Sequence, residues 1–235
     1  MIGEQSSLGK IEVLKTVPIF SDLSESDLKS VVNKMVSQSY KKGHVILKED
    51  STGDLCYFLT RGRVKITRVS SEEREVILAL LGPGDFFGEM SLLSGEARSA
   101  NVVTLEKTKA LTLNTEDFLG TLELYPKVAI NLLRELAIRL QKSDEQIASL
   151  SLSDAERRIA ISILRIAEEQ GTIQHGNVTI DPLPSQQDIA NMAGTTRETV
   201  SRIYKLLVED GHVQRISKKL IILDFKRFLK DFSLN

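Results

Sequence analysis

The sequence predicts an α+β chain in three parts: an N-terminal antiparallel β-roll, one long helix, and a small C-terminal helical domain finished by two short strands. Three observations carry this. Seven of the fourteen glycines lie between Gly43 and Gly95, and none lies between Gly120 and Gly171. Apolar residues then recur at heptad spacing through the glycine-free stretch. Beyond it, two amphipathic helical patterns flank Gly194. The resulting boundaries are residues 1–125 for the β-roll with its N-terminal helix, 126–152 for the long helix and hinge, and 153–235 for the C-terminal domain.

Clustered glycines punctuate short strands, because tight turns need a positive φ. Between them, His44–Lys48, Leu55–Thr60, Arg63–Val69, Val76–Leu81, Asn101–Thr104 and Lys109–Asn114 read as strands. Val76–Leu81 is continuously apolar, which predicts burial on both faces. Strands at near-regular spacing suit a barrel or roll. Ahead of them, Ser24–Met35 reads as a helix capped by Ser24 with Asp27 three residues on, and Leu28, Val31, Val32 and Met35 form its apolar stripe.

From Pro126 to about Leu150, Ala129, Leu133, Leu136, Leu140, Ser143, Ile147 and Leu150 alternate at spacings of 4 and 3. Such a seam either faces a core or zips two copies into a coiled coil, the sharper reading being a homodimer. Ser143 is its one polar member, so it either fixes register or meets a ligand. Ser151–Ser153 reads as a hinge. Asp154–Glu169 follows as a helix with Gly171 as its expected C-cap, and then comes a small hairpin or loop over Thr172–Asp181.

Within Leu183–Glu209, Ser185 caps a first helix, with Asp188 at its third position. Gly194 permits a turn, and Thr195 or Thr196 caps a second helix. Val200, Ile203, Tyr204 and Leu207 are its buried stripe, leaving Arg197, Glu198, Ser201, Arg202 and Lys205 outside. Arginine can donate bidentately to guanine and glutamate can accept from cytosine, so this face suits a major groove; an ordinary solvated face is the plain alternative. His212–Ile216 and Leu220–Leu223 form a wing with a tip at Ser217, Lys218 and Lys219. Residues 195–219 carry six cations against three carboxylates, a local charge of +3 in a chain of net charge −1. The patch favours duplex DNA.

The segment from Gly82 to Ala100 holds Glu89, Arg98 and Ser99 among glycines. A guanidinium with turn N–H groups clamps phosphate, and a carboxylate accepts from a sugar hydroxyl; a Glu89–Arg98 ion pair on a surface loop is the alternative. One cysteine, Cys56, excludes an internal disulfide, a cysteine-held iron–sulfur cluster and a thiolate zinc site, and fits a reducing cytosol. No apolar run reaches the roughly 18 residues of a spanning helix. No nucleophile–base pair, metal-ligand spacing or Walker-type loop points to an enzyme.

Two motifs bring a family into view. "FGEMSLLSGEARSANV" resembles the phosphate-binding cassette of cyclic-nucleotide-binding domains, and "QQDIANMAGTTRETVSRIYKLLVEDG" resembles the recognition segment of the Crp–Fnr family of bacterial transcription regulators. The likeness covers essentially the whole chain in order: β-roll, dimerisation helix, winged helix-turn-helix. It implies that Glu89 accepts from the ribose 2′-hydroxyl and that Arg98 pairs with the cyclic phosphate. Ser99 would add a hydroxyl and an N–H, and Gly88 would allow close approach, with Met90, Ser91 and Ala100 completing the cassette. Ser143 and Asp144 occupy the positions where cyclic-AMP receptors place two hydroxyls on the dimer helix. Asp144 departs from that pattern, so the cassette supports a cyclic nucleotide better than the helix supports adenine; cAMP is expected as effector, with cGMP and cyclic di-GMP as alternatives. On the DNA side the resemblance implies Ser185, Gln186, Thr196, Arg197, Glu198, Thr199, Ser201, Arg202, Lys205 and Lys218. The expected half-site lies near TGTGA or TTGAT. The oxygen-sensing branch needs four cysteines. Haem-based relatives need an axial histidine, and His44, His175 and His212 lie on neither the dimer helix nor the cassette. The resemblance thus implies a cytoplasmic homodimer acting on an operator, with RNA polymerase as a further partner and no metal or iron–sulfur cluster; the alternative is the same fold acting constitutively or sensing cyclic di-GMP or another ligand.

Overall fold

The computed structural model describes residues 10–233. The chain divides into two compact units, one reaching Val69 and resuming over Leu78–Leu140, the other comprising Ser70–Ile77 and the chain from Gln141.

The first unit opens with helix α1 (residues 10–15), a 3-10 turn at Pro18–Phe20 and α2 (Glu25–Lys34). Ser24 caps α2: its hydroxyl accepts from Asp27 N, and Leu28, Val31 and Val32 are buried, as the sequence pattern predicts. Eight strands follow: β1 (Val36–Tyr40), β2 (Val45–Leu47), β3 (Leu55–Arg61), β4 (Val64–Val69), β5 (Glu75–Leu81), β6 (Phe86–Phe87), β7 (Asn101–Thr104) and β8 (Thr108–Asn114). They form two antiparallel sheets, ordered β1-β8-β3-β6 and β2-β7-β4-β5. Helix α3 (Glu89–Ser94) interrupts the strands, and α4 (Thr115–Leu124) and α5 (Pro126–Leu152) follow them.

Strands β3 and β8, not Val76–Leu81, are buried on both faces. Tyr57 and Leu59 of β3 point into the roll with Leu47, Val64, Phe87 and Val102. Cys56 and Phe58 point the other way, into a second core with Leu14, Phe20, Leu28, Phe118 and Leu132 from the helices. Strand β5 is an edge strand, and its Val76 and Leu78 remain 41% and 39% exposed. An apolar run alone cannot separate a central strand from an edge.

In the second unit, α6 (Ala155–Gln170) packs on α7 (Gln186–Ala193), α8 (Arg197–Glu209) and α9 (Phe225–Phe232). Asp154 caps α6 by accepting from Arg157 N. Gly171 does not take the left-handed conformation of a C-cap: its φ is −77°. A Cβ there would lie 2.3 Å from Ala167 O and 2.4 Å from a Val178 methyl, so close approach is what requires glycine. The expected hairpin is present as β9 (Thr172–Gln174) and β10 (Asn177–Ile180). It joins the wing strands β11 (Val213–Ile216) and β12 (Lys219–Ile222) in one sheet ordered β11-β12-β10-β9.

A buried phosphate-type cradle and an exposed recognition helix

The cassette folds as β6, a left-handed turn at Gly88 (φ 88°) and α3, closed by a second left-handed glycine, Gly95 (φ 75°). Arg98 is 3% exposed. Its Nη1 donates to Gly88 O (2.6 Å) and its Nη2 to Leu55 O (2.8 Å). Its Nε is buried with no partner. A buried guanidinium N–H left unmatched costs free energy that an anionic oxygen would recover. Two glycines make the room. A Cβ at Gly53 would lie 2.7 Å from Arg98 Nη2 and 2.9 Å from Nε, and one at Gly88 would lie 2.9 Å from Nη1. The Arg98 backbone is tied as well, its N–H to Ser51 O and its carbonyl to Asp50 N, both at 2.9 Å.

Glu89 opens α3 and is 2% exposed. It does not pair with Arg98. Its Oε1 accepts from Nη1 of Arg139 on α5 at 2.9 Å, while Arg139 Nη2 donates to Phe86 O (2.8 Å) and the guanidinium lies 4.3 Å from the Phe86 ring centroid. Burial raises the Glu89 carboxyl above its usual range, with Arg139 the main opposing influence. Of the other cassette residues, Ala100 is buried and Ser91 half-buried, its hydroxyl 3.4 Å from Gly88 O. Ser99 and Met90 are exposed.

Sequence reasoning missed Arg139, Gly53 and Tyr57. Arg139 carries a local decoy, since Glu135 stands at i−4 and suggests an ordinary helix-surface pair. Tyr57 stacks on Phe87 (centroids 4.9 Å, planes 3° apart), and its ring lies 3.5 Å from a Cβ at Gly88, so it walls the cassette. Ser143 and Asp144 are exposed on α5, in the part of the helix that belongs to the second unit.

Most of the α5 seam is open to solvent in the protomer. Leu133, Leu140, Ile147 and Leu150 are 67%, 64%, 62% and 46% exposed. Val128 and Leu132, off the seam, bury against the core of the first unit, and Leu136 of the seam packs partly against it.

In the second unit, Ser185 forms a reciprocal capping box with Asp188, so its hydroxyl is committed to α7. Gly194 takes φ 58°, and Thr196, not Thr195, caps α8 by accepting from Thr199 N. Val200, Ile203, Tyr204 and Leu207 are buried. Arg197, Glu198, Arg202 and Lys205 are exposed along the opposite face, with Thr199 and Ser201 half-buried beside them and Gln186 half-buried at the start of α7. At the wing, Ser217 turns with φ 54° and Lys218 is exposed, its carbonyl accepting from Leu183 N at 2.7 Å. Lys219 pairs with Asp181 at 2.8 Å. A helix whose cationic face is unobstructed, beside a tethered basic wing, is the apparatus of a winged helix-turn-helix.

Among the described residues, no group of three or more His, Cys, Asp or Glu is placed to hold a metal ion, and no helix is long and apolar enough to cross a membrane.

A cyclic-nucleotide cradle followed by a DNA-reading domain defines a class of effector-responsive transcription regulators, and comparison with known proteins bears on both halves. Residues 37–125 match the cyclic nucleotide-binding domain, and residues 157–230 match the Crp-like helix-turn-helix domain. The cyclic AMP receptor protein of Thermus thermophilus is 36% identical over 203 residues, covering 86% of this chain and 90% of its own. A CRP-like cAMP-activated global transcriptional regulator of Mycobacterium tuberculosis is 27% identical over 219 residues, covering 93% and 98%. The structure of FixK2 from Bradyrhizobium japonicum shares the fold, with a TM-score of 0.75 over 86% of this chain and 98% of its own at 24% identity. The chain belongs to the CRP/FNR family of transcription regulators, with a cyclic nucleotide-binding domain and a DNA-binding helix-turn-helix domain.

Proposed function

We propose that two copies of the chain pair along the α5 seam, take a cyclic nucleotide into each β-roll, and present paired α8 helices to a palindromic operator. The observation that carries the ligand half is the buried, unmatched Nε of Arg98, held within a frame of two backbone carbonyls and two glycines. The cyclic phosphate binds there, with Ser99 adding its hydroxyl and N–H, and Glu89 accepts from the ribose 2′-hydroxyl. The preferred ligand is cAMP, in keeping with the names of the Thermus and Mycobacterium relatives. Asp144, a carboxylate beside Ser143, makes cGMP and cyclic di-GMP the alternatives to test. The open apolar seam supports pairing, because four large side chains in heptad register are otherwise left in water.

On DNA, Arg197, Glu198 and Arg202 read base edges, and Thr199, Ser201, Lys205 and Lys218 serve bases or phosphates. Ser185, Gln186 and Thr196 flank them at helix starts. The two recognition helices must stand about 34 Å apart to enter successive major grooves. The protein acts by binding rather than catalysis, in the cytoplasm, and RNA polymerase is the partner expected downstream.

Titrating the purified protein with cAMP, cGMP and cyclic di-GMP while measuring affinity for a palindromic operator tests this. Tightening by one nucleotide, abolished in Arg98→Ala, is the expected result. Operator affinity indifferent to all three, or a normal response in Arg98→Ala, overturns it.

A further inference from the structure

Arg215 lies on β11, an edge strand of the wing sheet, and is exposed. Among the described residues, no carboxylate pairs with it and no hydrogen bond fixes it. Lys219 of the same hairpin, by contrast, is neutralised by Asp181. What holds Arg215 is a ring: its guanidinium carbon lies 5.7 Å from the ring centroid of Tyr204 on α8. A guanidinium within about 6 Å of an aromatic face is attracted to it. The strand sets this placement. Side chains alternate across β11, so Arg215 shares a face with the buried Val213, and β11 packs on α8.

Tyr204 offers that ring and little else. It is 4% exposed within the buried stripe of α8, and its hydroxyl is buried with no partner. Burial raises its pKa, and Arg215 opposes the rise. A buried hydroxyl without a partner costs stability relative to a bare ring, so the fold gains nothing from the phenol oxygen. At about 100° per residue, Tyr204 sits roughly a quarter-turn round α8 from the middle of the face that carries Arg197, Glu198, Ser201, Arg202 and Lys205. The stacked guanidinium therefore stands at the flank of the base-reading face. A helix seated in a major groove has its flanks against the sugar-phosphate rim.

We propose that Arg215 contacts a DNA phosphate from the wing, and that Tyr204 is the positioning residue that aims it. The inference rests on the DNA-binding reading above. A guanidinium stacked on a ring keeps its N–H edges free and loses less side-chain freedom when it meets an anion. With no carboxylate to displace, its charge is wholly available to the phosphate.

Titrating an operator and a scrambled duplex of equal length with the full chain, in saturating cAMP and over a series of salt concentrations, tests this. Arg215→Met removes the charge from an exposed position. Each phosphate contact adds about 0.9 to the slope of log affinity against log salt, so that slope should become shallower by about 0.9 per bound chain, equally on both duplexes. Tyr204→Leu should weaken both duplexes by about two- to fivefold, the strength of one exposed stacking contact, and Tyr204→Phe, which keeps the ring, should restore them. In the Arg215→Met background, Tyr204→Leu should have no further effect on DNA, which a merely structural role would not give. Thermal melting checks folding, and Tyr204→Met takes the place of Tyr204→Leu if that variant does not fold. An unchanged salt slope in Arg215→Met, or a loss confined to the operator, overturns the phosphate contact. A Tyr204→Leu loss that persists in Arg215→Met, or that Tyr204→Phe fails to restore, overturns the positioning role. A native chain that binds neither duplex overturns the DNA-binding reading and this inference together. Native binding whose slope Arg215→Met leaves unchanged overturns this inference alone.

Discussion

Replacing Glu89 by Gln should separate ligand binding from folding. Glutamine keeps the volume and can still accept from Arg139 through its amide oxygen. What is lost is a charge in a place where burial raises the carboxyl pKa against the pull of Arg139. A carboxyl whose folded pKa exceeds its unfolded value keeps its proton longer in the folded chain. Stability is then lost as pH rises from about 4.5 through the raised value, a cost that falls on the ionised form. The substitution removes it. Against this stands weaker attraction for Arg139, whose side chain is 31% exposed and stays hydrated. That loss is about 1 kcal/mol or less, not the roughly 3–5 kcal/mol of orphaning a fully buried charge. Stability at pH 7 should therefore stay within about 1 kcal/mol of the native chain, and its decline with rising pH above about 4.5 should flatten. Losing a charge-assisted hydrogen bond to a ribose hydroxyl costs about 1.5–3 kcal/mol, which weakens cAMP about 10- to 150-fold. Urea unfolding at several pH values, beside calorimetric titration with cAMP, measures both. A Gln variant that loses several kcal/mol of stability yet binds cAMP normally would refute the reasoning on both counts.

Gly53→Ala should weaken cAMP by about tenfold and cost about 1–3 kcal/mol of stability, because the new Cβ meets a guanidinium pinned by two carbonyls and by its own backbone; titration and thermal melting read the two effects. Arg202→Ala should weaken operator binding by about 1–3 kcal/mol and relax base preference at one position, with stability within about 0.5 kcal/mol because the residue is exposed; competition gel shifts with single-base operator variants check this. Ile147→Asp should give a monomer in sedimentation at micromolar concentration with the protomer's melting little changed, since the side chain is 62% exposed within one chain.

Local features of the fold were the legible ones. The caps at Ser24 and Ser185, the glycine turn at Gly194 and the buried stripe of α8 all depend on residues within four positions of one another, and spacing alone encodes them. The β-roll was legible as a class, but its layers were not. Whether Val76–Leu81 or Leu55–Arg61 is covered twice depends on which strand ends at a sheet edge, a long-range property. Strand β1 has only Val36 and Tyr40 to mark it, whereas α4 and α9 went unread although Phe225, Phe228, Leu229 and Phe232 keep helical spacing. At the site, Glu89 and Arg98 announced themselves by type and spacing. Their partners did not: Arg139 is fifty positions from Glu89, and Leu55 O, which orients Arg98, is a backbone atom that no motif encodes.

The two charges of the cassette are held in different ways, and that difference divides the labour of a bound nucleotide. Arg98 is fixed by carbonyls and glycines of the roll itself, so a phosphate meeting its Nε gains affinity without reorganising anything. Such a contact is equally good in any arrangement of the long helix and biases none. Glu89 is fixed by Arg139, which belongs to α5. A sugar hydroxyl that draws on this carboxylate alters how firmly α5 is held, and only interactions that differ between two arrangements can shift their populations. About 1.4 kcal/mol of such difference moves the balance tenfold, which is within the strength of one charge-assisted hydrogen bond. In the proposed reading, then, affinity is set mainly at Arg98 and response mainly at the Glu89–Arg139 pair.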